Sequence, residues 1–355
     1  MGRDILQDDP VLRVARSIAQ LYAWFELHGG PAGDGVHRVH AHLLCHAATD
    51  DPQHAQSARS VLQGLLTGEL PAALGARAAL GAACLDANEV LGDRIFLDAA
   101  HSVCEGIVQG ARVEDGQALC FSALPGRMCP VHHANLQAAA LLARTGRRVG
   151  DDGLVELARQ ATAFALAHQR PDGTWLHGEM RPLRWVDHFH AGARVSSLLE
   201  LARDALHPAL PAALARALRH LVASNFDARD LPRAALRPDE PAECDLLAAA
   251  EAMNALARVA LADPPATGRA AGLATRLADW AGRHLQAWSL WRDPPSVHGP
   301  GRLLEALVRV QALGAGAWAS LAEPAAAPAP AGPELAGGPA WLAVPSGPMS
   351  SGRLH

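Results

Sequence analysis

Apolar residues recur along this chain every three to four positions and almost nowhere alternate singly, so the pattern predicts helices throughout. With their flanking Pro, Gly and Asp residues, the periodic stretches divide into about twelve helices. The first six span Asp9 to Leu27, Val36 to Ala47, Asp51 to Leu66, Ala72 to Cys84, Ala87 to Gln109 and Val131 to Arg144. The second six span Gly153 to His168, Ala191 to Asp204, Ala209 to Ala223, Glu243 to Leu261, Ala266 to Ala287 and Gly301 to Leu313. Short connectors such as Leu206-His207-Pro208 and Asp263-Pro264-Pro265 separate many of them. No convincing strand is visible. Helices in this number predict an all-α fold, an (α/α)6 toroid of about six hairpins closed into a ring. A right-handed solenoid of helix pairs is the alternative, although no fixed-period repeat stands out.

The pattern fails near Glu323, where Pro324, Pro328, Pro330 and Pro333 interrupt a run of alanine and glycine. Proline at this density cannot sustain a helix. The expected organisation is a toroid domain over residues 1–322 and a Pro/Ala/Gly-rich tail, extended or disordered, over 323–355. Trp341-Leu342-Ala343-Val344 gives that tail one apolar segment able to dock on the body.

Composition narrows the chemistry. Half of the 355 residues are hydrophobic, enough for a sizeable core. The 31 basic residues are all arginine, which excludes a lysine Schiff base or a lysine phosphate clamp. Against 36 acidic residues they leave a net charge of −5, which argues against a nucleic-acid partner. The start carries no basic segment followed by an apolar run, and no apolar stretch approaches the ~20 residues of a membrane span. The six cysteines form no C-x-x-C pair, and the expectation is reduced thiols in a cytoplasmic protein.

One segment departs from the helical background. Gln169 to His190 gathers Trp175, Trp185, His177, His188, His190, Glu179, Asp172 and Asp187 into a long connection between helices. Pro171-Asp172-Gly173 is a turn, since proline presets φ and glycine accepts a positive one. Asp187 and His190 open the next helix three residues apart, on one face of its first turn. Asp187 is also a natural N-cap, and the two roles are compatible. Glu179 beside His177 suits general acid–base chemistry, and Trp175 and Trp185 suit stacking on a ring-shaped substrate.

The 18 histidines raise the question of a metal. Further clusters are Cys129-Pro-Val-His132-His133 and His37-Arg-Val-His40-Ala-His42, with His42 and His46 at helical i,i+4 spacing. None reproduces a zinc signature such as H-E-x-x-H or paired C-x-x-C. No cofactor and no metal ligand is therefore assigned, and an ion held between distant helices stays open without motif support.

The segment's wording resembles known toroids. Gln169-Arg-Pro-Asp-Gly173-Thr-Trp175 is similar to the Q-x-x-x-G-x-W motif of terpenoid cyclases and protein prenyltransferases. The longer run, through Gly178-Glu179 to Trp185-Val-Asp187-His188-Phe189-His190-Ala-Gly192, looks like the toroid proteins encoded in bacterial polysaccharide-biosynthesis clusters. In that group W-x-D-N-F-H-T-G follows Q-x-x-D-G-S-W-x-Y-G-E. His133-Ala-Asn135-Leu-Gln-Ala resembles the group's N-A-N-L-L-A-A helix, and Cys244-Asp245-Leu-Leu its D-x-H-S helix. The chain departs from the pattern at His188, where the group has asparagine, and at Leu247, where it has histidine. It departs again at Val297 to Leu307, where the group has an arginine–tryptophan pair.

The resemblance implies a divergent six-hairpin glycosidase-like toroid, whose fold relatives include glycosidases, lyases and uronyl epimerases. The expected function is an enzyme acting on a carbohydrate or uronate-containing substrate, a small molecule or an oligosaccharide. Glu179, Asp187, His190 and Asp245 are the expected catalytic residues, and Asn135, Trp175, His177, Trp185 and His188 the expected substrate-binding ones. Two other classes are a cyclase-type enzyme on an apolar natural product and a non-catalytic sugar-binding scaffold. The cyclase reading lacks the D-x-D-D acid, Asp227-Ala-Arg-Asp230 being the nearest string. The prenyltransferase reading lacks a spaced Asp/Cys/His set, since Cys244 and Asp245 are adjacent.

Overall fold

The computed structural model describes residues 9–28, 34–116, 118–232, 242–262, 268–285 and 299–314. Within them lie the helices α1 (Pro10–His28), α2 (Gly35–Thr49), α3 (Pro52–Thr67), α4 (Leu74–Leu91), α5 (Arg94–Val108) and α6 (His132–Val149). They continue with α7 (Asp152–Ala167), α8 (Ala191–Arg203), α9 (Leu210–Asn225), α10 (Ala242–Ala262), α11 (Gly268–His284) and α12 (Pro300–Gln311). Each answers to one of the predicted periodic stretches. The largest boundary error falls between α4 and α5. There the helix runs on past Cys84 until Gly92, whose left-handed backbone lets its N–H reach the Asn88 carbonyl and close the last turn.

The even-numbered helices form a closed inner ring. Each of α2, α4, α6, α8, α10 and α12 packs on the next, and α12 returns to α2. The partners α3, α5, α7, α9 and α11 lie outside them, and α1 completes the outer layer against α12 and α11. The chain thus enters the ring on an outer helix and leaves it on an inner one, so the sixth hairpin is made by its two ends. This is an (α/α)6 toroid. The layers differ in sequence as burial requires. Outer helix α5 buries one stripe, Phe96, Ala100, Val103, Cys104 and Ile107. Inner helix α6 buries residues all round, and its run of Ala138, Ala139, Ala140 and Ala143 gives close neighbours room on every side.

Two features were not expected. Arg112–Asp115 (β1) and Ala118–Phe121 (β2) form a short antiparallel hairpin between α5 and α6. Four-residue strands are too short to show a period-two pattern. The other is a polar centre inside the ring. His37 and His40 of α2, Asp86 of α4, Arg144 of α6, Glu200 of α8, Asn254 and Arg258 of α10, and Glu305 and Arg309 of α12 meet there. Asp86 takes Arg144 at 2.6 Å and His40 at 3.0 Å. Glu305 takes His37 at 2.7 Å, Asn254 at 3.0 Å and Arg309 at 3.1 Å, and Arg258 pairs with Glu200 at 3.1 Å. Burial would raise the Glu305 carboxyl, but the surrounding His40, His37 and Arg309 hold it well below the usual carboxylate range.

No helix among the described residues is long and apolar enough to cross a membrane. Cys45, Cys84, Cys104, Cys120 and Cys129 are free thiols. The tail over 323–355, with Trp341, lies outside the described residues.

Candidate functional site

The segment from Gln169 to His190 carries two jobs, and the structure separates them. Its first part is a clamp. Gln169 donates to the Ala213 carbonyl at 3.0 Å and accepts from Arg216 at 2.6 Å, tying the end of α7 to α9. Gly173 sits at φ 87° with the Arg216 carbonyl 2.3 Å from where a Cβ would be, so no other residue fits the turn. Trp175 is 1% exposed and donates its indole N–H to the Ala165 carbonyl at 2.7 Å. Trp175 is therefore a core anchor, which corrects the expectation of a stacking surface. The Q-x-x-x-G-x-W pattern here holds helices together.

The second part is a narrow loop laid against the start of α6. Leu176 bridges Val186, and His177 N–H bonds the Trp185 carbonyl at 2.8 Å. Gly178 bridges Val131, with the Pro130 carbonyl 2.5 Å from a would-be Cβ, so the two segments touch backbone to backbone. That approach sets His132 and His133, the first two residues of α6, against the loop. Consecutive helical side chains diverge by about 100°, and the two imidazoles accordingly reach different partners.

His132 donates to Glu179 at 2.7 Å and lies beside the rings of Phe164 and His168. Burial lowers its pKa to about 4 against the opposing pull of Glu179, so the ring is neutral at pH 7. The Glu179 side chain is 26% exposed, which leaves it reachable from solvent.

His133 turns to Asp187, the centre of the second group. Asp187 Oδ2 accepts from His190 Nδ1 at 2.9 Å, His177 Nδ1 at 3.1 Å and Arg194 at 3.1 Å, with His133 Nδ1 3.8 Å away. Its Oδ1 accepts from the His190 backbone N–H at 3.1 Å. The N-cap of α8 is His190, not Asp187 as expected; Asp187 holds that residue's N–H with one oxygen and gathers imidazoles with the other. Burial would raise its pKa, but the hydrogen bonds of His177 and His190 and the charge of Arg194 hold the carboxyl well below its usual range. Asp187 is also 0% exposed. It is a permanent, inaccessible anion and orients its neighbours, which corrects the expectation of Asp187 as a general acid or base. Burial, with the neighbouring His190 next, also keeps the His133 ring neutral.

The ring of His133 stacks face to face on His190, centroids 3.7 Å apart, and His177 stacks on Trp185 at 4.5 Å. Trp185 is 43% exposed and offers an open indole at the edge of the group. His133, His177, Asp187 and His190 each place a ligand atom within 4.8 Å of the others, close enough that the four could hold a metal ion.

The remaining expected residues lie elsewhere. Asn135 is 0% exposed, with its amide donating to the Ala161 carbonyl at 2.9 Å and accepting the Phe121 N–H at 3.1 Å. It is a structural strut, not a substrate contact as expected. His188 turns outward to His220 at 3.2 Å, away from the group in which it was expected. Asp245 belongs to α10, and its side chain lies outside the described residues. The cluster His37, His40, His42 and His46 disperses to Glu305, Asp86, His54 and the Asp51 carbonyl. The residues that sequence reasoning missed are His132, His133 and Arg194. His132-His133 was visible as a pair, but nothing local joined it to a loop some forty-five positions on.

No protein-family model matches the chain, and no curated protein is similar to it in sequence. Solved structures are similar in fold. The GH76A alpha-1,6-mannanase from Salegentibacter sp. HEL1_6 shares 13% identity at TM-score 0.63, covering 86% of this chain and 99% of its own. An unsaturated glucuronyl hydrolase specific for heparin shares 12% at 0.60, covering 85% and 97%. The cellobiose 2-epimerase from Spirochaeta thermophila DSM 6192 shares 12% at 0.52, covering 79% and 86%. At such identity the likeness establishes the six-hairpin α/α toroid.

Proposed function

We propose that this protein is an enzyme acting on a carbohydrate or uronate-containing substrate by carboxylate and imidazole acid–base chemistry. The observation that carries this reading is the side-by-side placement of two His–carboxylate groups at the start of α6 and α8. One is Glu179 with His132 and the other Asp187 with His177 and His190. Glu179 is the reachable carboxyl and exchanges the proton with substrate, while the buried His132 fixes its orientation. His177 and His190, each about one-fifth exposed, present their outer ring edges, and Asp187 holds their inner nitrogens. Trp185, braced on His177, is the surface for a sugar ring.

The named fold neighbours, a mannanase, a glucuronyl hydrolase and an epimerase, support the substrate class and leave the reaction type open among hydrolysis, elimination and epimerisation. Imidazoles and carboxylates at the site speak against an apolar cyclase substrate. The test is a panel of neutral and uronate-containing oligosaccharides assayed for reducing ends, for unsaturated products and for epimers by NMR. Turnover of one class is expected, falling at least about 100-fold in Glu179→Gln with Tm unchanged. Binding without turnover in all three assays would assign the protein to the sugar-binding scaffold class instead.

A further inference from the structure

The four side chains around Asp187 exceed what acid–base chemistry requires. One carboxylate orients one imidazole well, and here three imidazole Nδ1 atoms and a guanidinium crowd on a single oxygen, Oδ2. The third imidazole gains nothing from it. His133 Nδ1 is buried, sits 3.8 Å from Oδ2 and has no hydrogen-bond partner among the described residues. Buried polar nitrogens are nearly always satisfied, and one left open toward a carboxylate and two more imidazoles is placed to meet something that accepts a lone pair. We propose that His133, His177, Asp187 and His190 form a binding site for a divalent first-row transition ion, with Zn(II) the best fit.

The donor set suits that ion. Three imidazoles and one carboxylate match the nitrogen and oxygen preferences of zinc and its four-coordinate habit. Zinc–nitrogen and zinc–oxygen bonds of about 2.0–2.1 Å place tetrahedral ligand atoms about 3.3–3.4 Å apart. His190 at 2.9 Å and His177 at 3.1 Å from Oδ2 need to open slightly, and His133 at 3.8 Å needs to close by a comparable amount. The stack of His133 on His190, with ring planes 2° apart, keeps their lone pairs in two parallel planes. Ligation turns one ring out of the stack so that the two converge.

Protons balance without loss. In the metal-free state Nδ1–H of His177 and of His190 each donates to Oδ2. On ligation each neutral ring carries its proton on Nε2, at its outer edge, and Nδ1 gives its lone pair to the ion. Arg194 stays as the outer partner, since it also donates to the Asp187 main-chain carbonyl. The ligands come from three places, the start of α6, the loop at 177 and the start of α8, so the ion joins the segments that build the site. With it bound, His190 is no longer a proton carrier and proton transfer rests on Glu179 with His132, a consequence that depends on the carbohydrate reading while the metal site itself does not.

The test needs no substrate. The full chain is purified without an affinity tag, stripped with chelator and titrated with Zn(II) and with Co(II). One equivalent of zinc per chain, the visible bands of four-coordinate Co(II) and a rise in Tm with added zinc are expected. His133→Ala and His190→Gln are expected to weaken zinc binding by more than about 100-fold, beyond the range typical of losing an outer-shell partner. His188→Ala, next in sequence to Asp187 but with its ring turned outward to His220, is expected to bind as the parent does. Helical circular dichroism shows that each variant is folded. Failure to bind either ion stoichiometrically, or binding untouched by both ligand variants, overturns the proposal and leaves the carbohydrate reading standing.

Discussion

Two polar groups lie inside this toroid, and they are built on opposite principles. At the centre of the ring, each acid of the inner helices meets an arginine, Asp86 with Arg144, Glu200 with Arg258 and Glu305 with Arg309, and His40 and His37 add to the first and last. At the start of α6 and α8, one buried acid faces one arginine and three imidazoles, and one of those nitrogens is left without a partner. The central group is mutually neutralised; what it leaves open among the described residues are the Nε–H donors of Arg258 and Arg309, which cannot give a lone pair, and the amide oxygen of Asn254. The other has more donor atoms than its own structure uses, and it is edged by exposed Trp185 and half-reachable Glu179. Charge that compensates itself holds a fold; surplus ligand capacity near the surface is what a site requires.

The largest test of this contrast removes one side chain from each group. Glu305→Ala leaves Arg309 and Arg258 buried beside a missing partner, which costs about 3–5 kcal/mol. Thermal unfolding should show Tm falling on the order of 10 °C. His190→Ala, one-fifth exposed and with Asp187 still held by Arg194 and His177, should cost far less. Equal losses would erase the distinction.

Buried histidines and the central carboxylates also separate on the pH axis. Burial lowers His132, and independently His42 on α2, from 6.5 to about 4. A depressed histidine pKa means that unfolding takes up protons, so their stabilisation is complete above pH 6.5 and declines as pH falls toward 4. Each contributes up to about 1.4 kcal/mol per pH unit in that window. The central carboxylates Asp86 and Glu305 are held low, burial being outweighed by Arg144 and His40 for the first and by His40, His37 and Arg309 for the second. Their stabilisation is present above the ordinary carboxylate range and is lost only below about pH 4. Denaturant unfolding from pH 8 to 3 should therefore fall in two stages, and His42→Gln should shrink the first alone. A single stage would mean that one group dominates.

A smaller effect links the groups through backbone contact. At Gly192, in the first turn of α8, a Cβ would stand 2.3 Å from the Glu251 carbonyl of α10. Gly192→Ala should cost about 2–3 kcal/mol by pushing these helices apart, displacing Asp187 and His190 with the α8 start. The expected readout is lower Tm together with reduced turnover. Smallest of all, Trp185→Ala should change stability by less than about 0.5 kcal/mol while raising KM for the sugar. A loss in kcat alone would remove the tryptophan from the binding surface.

The fold was more legible than the site. Amphipathic periodicity exposed outer helices such as α5 and inner ones such as α12 alike, so it gave the helices without saying which layer each belongs to. The loop after α7 stood out because tryptophan and histidine gather there against a helical background. Its internal division did not. Trp175 and Trp185 have the same chemistry and occupy one loop, yet one is a buried anchor and the other an open platform. Asn135, read through its resemblance as a binding residue, turned out to satisfy two backbone groups. His133, noted in a histidine cluster, was not joined to Asp187 because its partners are brought to it by the Val131–Gly178 bridge, a contact between segments far apart in the chain.

The sequence by itself determined the all-helical class, the number of helices and the segment that breaks their pattern, because these follow from local periodicity and from Pro and Gly placement. Only the tertiary structure decided which helices face the axis, that α12 closes the ring on α2, and that Asp187 is a buried anion ringed by imidazoles. Those outcomes depend on which distant segments touch, and on burial, which sets whether a carboxylate can meet a substrate or can only hold the residues that do.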